Sequence, residues 1–238
     1  MGKTTTTVNL GSYIAKMGKK VLLVDFDSQG NLSSSVGADK NRPGIYEAMT
    51  GKADLTNVVQ STAVDNLSII PSNINLTGAG IELVEYKERE YFLRNTLEGL
   101  KERWDYLFID CPPSLGLLTL NGLTAADQII IPLQCEYYAL EGLSLLLQTV
   151  QMVKKKLNPD LAICGILFTM FDSRTKLANE VVQQVTGYFK EKVFRTVIPR
   201  NVKLSEAPSH ALPISEYDPG CLGALSYASL AEEVIKRV

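Results

Sequence analysis

Short apolar runs rich in β-branched and aromatic residues alternate along this chain with longer amphipathic stretches, and that alternation constrains the fold more than any other feature. The runs Lys20–Asp27, Leu67–Ser72, Tyr106–Pro112, Gln128–Gln134, Cys164–Phe171 and Val193–Pro199 read as strands. The stretches Thr4–Met17, Arg89–Arg103, Leu115–Ala126, Leu140–Leu157, Lys176–Lys192 and Leu222–Arg237 read as helices. Such an order predicts a doubly wound α/β architecture, a mostly parallel sheet with helices on both faces. No internal repeat, low-complexity tract or linker divides the 238 residues, so a single domain over 1–238 is expected.

Composition removes several function classes. With 21% charged and 45% apolar residues, the chain is neither disordered nor fibrous. Its apolar stretches, such as Val21 to Val24 and Ala162 to Phe168, fall far short of the roughly 18 residues that span a bilayer. The opening Met1-Gly2-Lys3-Thr4 lacks the apolar core of a secretory signal, and a cytoplasmic location is expected. The four cysteines (Cys111, Cys135, Cys164, Cys221) form no C-x-x-C pair, which disfavours a zinc ribbon or a disulfide framework. His210 is the only histidine, so a His-rich metal centre cannot be built and any Ser-His-Asp mechanism would rest on that ring.

The 24 basic and 26 acidic residues leave a net charge of −2, but unevenly distributed. Between Lys154 and Lys203, ten basic residues face four acidic ones, +6 locally and −8 elsewhere. Alone, such a run reads as a solvated surface.

In a doubly wound sheet, ligands bind outside the carboxyl ends of the strands. Two apolar runs reach that end in carboxylates: Val21-Leu22-Leu23-Val24 runs into Asp25-Phe26-Asp27, and Tyr106-Leu107-Phe108-Ile109 into Asp110. Strands also end in Asp simply because Asp caps the next turn, so both readings stay open. Gly2-Lys3-Thr4-Thr5, directly before an amphipathic stretch, matches the last four positions of the phosphate loop G-x-x-x-x-G-K-[ST]. Gly lets main-chain N–H groups approach an anion, and the helix start adds positive potential. Lys reaches the β and γ phosphates, and the Thr hydroxyl ligates Mg²⁺. Four residues are a weak match until the acidic strand ends are added.

Taken together, Gly2-Lys3-Thr4-Thr5-Thr6, Val24-Asp25-Phe26-Asp27-Ser28-Gln29-Gly30-Asn31, Asp110-Cys111-Pro112-Pro113-Ser114-Leu115-Gly116 and the run Pro199 to Ser209 resemble the ParA/Soj chromosome and plasmid partition ATPases over nearly the whole chain. The resemblance implies a slow P-loop ATPase using ATP and Mg²⁺. It implies that Gly2, Lys3, Thr4 and Thr5 cradle the phosphates, that Thr4 holds Mg²⁺ with Asp110 as the Walker B acid, and that Asp25 supports the metal region. It further implies that Asp27 orients the attacking water and that Pro199 and Asn201 meet adenine. Arg174 and Lys203 match positions that bind DNA without sequence preference, which gives the +6 segment a second reason. An ATP-driven homodimer, association with the nucleoid, and a ParB-type centromere-binding partner that stimulates hydrolysis are implied as well, with no membrane contact.

One departure accompanies the match. The family's loop reads Lys-Gly-Gly-Val-Gly-Lys-Thr-Thr after a first strand, and here Met1 stands in place of that Val. The first strand, two loop glycines and the signature lysine are missing, so the neighbours of that strand should carry unpaired main-chain groups. Either a Val codon was taken as the start, or the short chain is a weak nucleotide binder. The competing readings are a MinD-like membrane-positioning ATPase, an iron–sulfur ATPase and a nucleotide-dead DNA-binding scaffold. The first needs a basic amphipathic tail that Leu230 to Val238 does not supply. The second needs paired interface cysteines, and Cys111 reads instead as a strand-end residue.

Overall fold

Val21–Asp25 is buried on both faces along its whole length, as expected of a parallel strand sandwiched between helices. The structure is a computed structural model that describes residues 2–238, with Ile81 described by its backbone alone; Met1, which replaces the loop valine, lies outside the described residues. In chain order the elements are α1 (Lys3–Lys16), β1 (Val21–Asp25), α2 (Asn31–Ser35), α3 (Ile45–Met49), α4 (Leu55–Val58), β2 (Gln60–Ser61), β3 (Leu67–Ile70), α5 (Leu76–Glu82), α6 (Phe92–Leu97) and β4 (Tyr106–Asp110). They continue as α7 (Leu117–Ala125), β5 (Gln128–Gln134), α8 (Ala139–Lys156), β6 (Ala162–Thr169), α9 (Lys176–Phe189), α10 (Val202–Glu206), α11 (Ile214–Tyr217) and α12 (Leu222–Arg237).

Strand alternation divides the core into two layers. Val21 and Leu23 point into a cluster with Val8, Leu10 and Ile14 of α1 and Tyr227 and Leu230 of α12. Leu22 and Val24 point the other way, into a cluster with Ile45, Leu76, Leu93 and Leu97. The chain is therefore α/β with helices on both faces, as its patterning predicts.

The strands form two sheets. One has the order β2-β3-β1-β4, with β1 parallel to both β3 and β4 and β2 antiparallel at the edge; the other is the parallel pair β5-β6. α1 packs across β1, β3, β4 and β5, so the two sheets lie side by side beneath it, with β4 and β5 carrying edges that lack a ladder partner among the described residues. Tyr106 to Ile109 and Ile129 and Ile130 are only half-buried, unlike fully buried β1.

Two expected elements differ. Val193–Pro199 is not a continuous strand: it meets β6 and its extension in isolated bridges at Ile166–Val193 and Phe171–Pro199, with one further hydrogen bond from Ile198 N to the Phe168 carbonyl at 2.9 Å. Between those bridges, the N–H groups of Arg195 and Thr196 donate to Glu233 of α12 at 2.9 and 3.0 Å instead of to a neighbouring strand. The helix expected over Arg89–Arg103 shrinks to α6 between 3₁₀ turns at Arg89–Tyr91 and Glu98–Leu100. Buried Asn121 takes the groups a longer helix would use, accepting from Leu93 N and donating to the Arg89 carbonyl.

Candidate nucleotide site

The site is built on the start of α1. Gly2 caps this helix with φ +107, a conformation open to glycine, and a Cβ there would stand 3.2 Å from the Thr169 hydroxyl. The first intrahelical bond runs from Thr6 N to Gly2 O at 2.8 Å, so the N–H groups of Lys3, Thr4 and Thr5 have no partner within the helix. These donors sit at the positive end of the helix dipole.

Two strand ends bring acids to the same place. Asp25 and Asp110 are the last residues of β1 and β4 and are partners in the parallel register. The Thr4 hydroxyl donates to Asp110 Oδ2 at 2.6 Å. Asp110 is buried, and its other oxygen, Oδ1, has no hydrogen-bond partner among the described residues. Burial pushes its carboxyl up to about 7; the Thr4 hydrogen bond and Lys3 oppose that rise, and Asp25 and Asp27 add to it. Asp25 is also raised, chiefly by burial, against hydrogen bonds from Ser33 and Asp27. Beyond β1, Asp27 shapes its own loop: its Oδ1 accepts from Gln29 N at 3.1 Å and its carbonyl from Gly30 N at 2.9 Å.

Gly2, Lys3, Thr4, Thr5, Asp25, Asp27 and Asp110 thus converge at one end of the larger sheet. Among the described residues, no three His, Cys, Asp or Glu side chains converge as an all-protein metal cage. Mg²⁺ does not need one, because it is usually held by one or two carboxylates together with substrate phosphates and water. An unpartnered carboxylate oxygen beside a hydroxyl and free helix-start N–H groups fits a magnesium-bound phosphate chain.

Residues 1–163 match a family model described as an AAA domain. The chain is 58% identical over 237 residues to the chromosome-partitioning ATPase Soj of Treponema pallidum (strain Nichols), covering 100% of this chain and 93% of that protein. It is 55% identical over 236 residues to the sporulation initiation inhibitor protein Soj of Bacillus subtilis (strain 168), covering 98% and 93%. The chain belongs to the Soj/ParA family of partition ATPases. The crystal structure of cobyrinic acid a,c-diamide synthase from Mycobacterium smegmatis, solved with bound ATP analog and magnesium, is similar in fold: TM-score 0.84 at 35% identity, covering 99% of this chain and 89% of that one.

The remaining expected site residues of this Soj/ParA chain lie beyond β6. Pro199 bridges to Phe171, and Asn201 caps α10 by accepting from Lys203 N at 2.9 Å. Arg174, 85% exposed, forks onto Asp172 at 2.9 and 2.7 Å and holds that carboxyl down at about 2. Lys203 pairs with Glu206 at 2.9 Å and stands over the Tyr217 ring. Both cations are therefore tied to neighbouring carboxylates of their own chain.

The +6 segment does not form one surface. Lys154, Lys155 and Lys156 end α8, and Lys190 and Lys192 lie with them near the amino end of β6, where Lys192 reaches the Ile163 carbonyl; Arg195 lies farther along the strand. Arg174, Lys176, Arg200 and Lys203 lie beyond its carboxyl end. At about 3.3 Å per residue, β6 separates the two groups by roughly 25 Å. Helix ends gather lysines on their own account, because cations are favoured at the C-terminus.

Sequence reasoning did not single out Ser33, whose N–H and hydroxyl both bind Asp25. Nothing in Ser33-Ser34-Ser35 distinguishes it; only the turn of α2 does.

Proposed function

We propose that this Soj/ParA ATPase binds magnesium-bound ATP at the start of α1 and the ends of β1 and β4, and couples slow hydrolysis to reversible DNA association in partitioning. The supporting observation is the Thr4–Asp110 hydrogen bond beside the unpartnered Asp110 Oδ1, at the helix start that carries Lys3. Bound magnesium would supply neutralisation of phosphate charge. Gly2 leaves room for the anion, and the N–H groups of Lys3, Thr4 and Thr5 point to it. The Lys3 ammonium would pair with the outer phosphates, and the Thr4 hydroxyl and Asp110 would hold the metal, with Asp25 behind them. Asp27 orients the attacking water. Positioning and charge stabilisation of this kind need no strongly basic side chain and suit a slow enzyme.

Pro199 and Asn201 are assigned to adenine contact, and Arg174 and Lys203 to DNA phosphates. Each of the two cations would leave a carboxylate of its own chain to do so, which favours a multivalent polyanion over a single phosphate. Phosphate contacts carry no sequence information and weaken with salt. The assignment includes one domain over 1–238, ATP-dependent homodimerisation, a ParB-type partner and a nucleoid location. Among the described residues no helix is long and apolar enough to cross a membrane. Arg237, near the chain end, is folded inward onto the Cys164 and Val193 carbonyls and Phe194 rather than displayed for lipid.

The test is ATP turnover with and without duplex DNA, beside Lys3→Ala. Turnover that requires Mg²⁺ and is lost in the variant supports the reading; equal turnover in both proteins sinks it.

A further inference from the structure

Ser33 lies fully buried between the ends of β1 and β3. Its hydroxyl donates to Asp25 Oδ2 at 2.6 Å, and its own N–H donates to the same oxygen at 2.7 Å. That hydroxyl also accepts the main-chain N–H of Ser72 at 3.0 Å, just past β3. A hydroxyl has one proton to give, so the direction of the chain is fixed: Ser72 to Ser33, Ser33 to Asp25. Ser72's own hydroxyl is buried with no hydrogen-bond partner among the described residues, which leaves this N–H as its link to the site.

With Oδ2 held twice by Ser33, the other oxygen of Asp25 faces the turn and accepts the Asp27 N–H at 3.3 Å. That contact is long. It depends on the carboxylate staying in one rotamer, and Ser33 supplies both bonds that keep it there. The arrangement also ties the end of β3 to the end of β1, so the backbone carrying Asp27 is braced from two strands.

We infer that Ser33 is a positioning residue for Asp27: through Asp25 it fixes the backbone from which the Asp27 carboxylate is presented, without itself touching nucleotide. The inference rests on the nucleotide reading above. Removing the hydroxyl leaves the Ser72 N–H buried without its acceptor and removes a charge-assisted bond from Asp25, while Lys3, Thr4 and Asp110 keep their contacts. Ser33→Thr keeps the hydroxyl.

Two measurements on the full chain test this. In amide hydrogen exchange without nucleotide, Ser33→Ala should speed the Asp27 and Ser72 amides by about tenfold and leave Ile109 of β4 and Ala231 of α12 unchanged, with Ser33→Thr restoring protection. In ATP turnover, Ser33→Ala should lower kcat about fivefold at unchanged KM, again with recovery in Ser33→Thr. Uniform acceleration across all four amides, or loss expressed in KM, would mean a merely structural role and overturn the inference. Normal turnover with an unmoved Asp27 amide overturns Ser33 alone and leaves the ATPase standing. Local acceleration in a protein whose unmodified form hydrolyses no ATP overturns the nucleotide reading and, with it, any part for Ser33 in hydrolysis.

Discussion

Thr4 and Asp110, 106 positions apart, are joined by a 2.6 Å hydrogen bond that fastens the start of α1 to the end of β4. It is a charge-assisted contact whenever Asp110 is ionised, and the bonded carboxylate is almost wholly out of water. Thr4→Val keeps the shape and removes the donor. Loss of a bond to a buried charged group costs about 1.5–3 kcal/mol. A lower urea midpoint and weakened Mg²⁺ dependence of turnover are expected, with Thr4→Ser close to the parent in both.

Asp110 also sets a pH signature. Burial raises its carboxyl from the usual 3.8 to about 7, so across that window the folded chain holds a proton that the unfolded chain has released. The stability this contributes is complete below the unfolded value and is lost as pH rises through about 7; Asp25, also raised, acts in the same direction. Asp110→Asn has no such proton to lose. Without magnesium, its melting temperature should gain on the parent between pH 5 and pH 8, and added Mg²⁺ should narrow the gap at pH 8. A gap that does not change with pH would count against a buried, titrating Asp110.

Glu233 carries the segment that fails to become a strand. Its two oxygens receive Arg195 N and Thr196 N, and Arg237 pairs with it at 2.7 Å. Glu233→Ala strands two main-chain donors and takes the carboxylate from a half-buried guanidinium that keeps the Cys164 and Val193 carbonyls, and should cost on the order of 2–3 kcal/mol in denaturant titration. Glu233→Gln retains acceptor capacity at one oxygen and should lose less.

For DNA, the two ends of β6 make opposite forecasts. Arg174→Ala or Lys203→Ala should weaken binding measured by fluorescence anisotropy and flatten its salt dependence by about one unit of slope each. Asp172→Asn, which releases Arg174 from its fork, should strengthen it. Replacing Lys154, Lys155 and Lys156 together should leave binding unchanged, since they stand near the opposite end. A larger effect from the triple change would move the DNA contact to the amino end.

What could be read from the residues follows the physics of each element. β1 was legible because burial on both faces demands an unbroken apolar run, and α12 because its stripe of Ala224, Tyr227, Leu230, Ala231 and Val234 faces one core. The convergence of Thr4, Asp25, Asp27 and Asp110 followed from a strand–helix order that places strand ends and helix starts together. Val193–Pro199 has the composition of a strand, but a carboxylate from a remote helix decides where its N–H groups go. Charge counting along the chain gave +6 and missed that β6 carries its two halves apart. α2, α10 and α11 are too short for a hydrophobic period to show, and Ser33 was hidden with the first of them.

The parting between β4 and β5 has a thermal corollary. Among the described residues no main-chain ladder binds one sheet to the other; α1 and side-chain packing clasp them. Heating should therefore melt this molecule in two stages, the β5-β6 half loosening while the β1-centred half still holds, and a calorimetric trace would show a shoulder where a seamless sheet gives one peak.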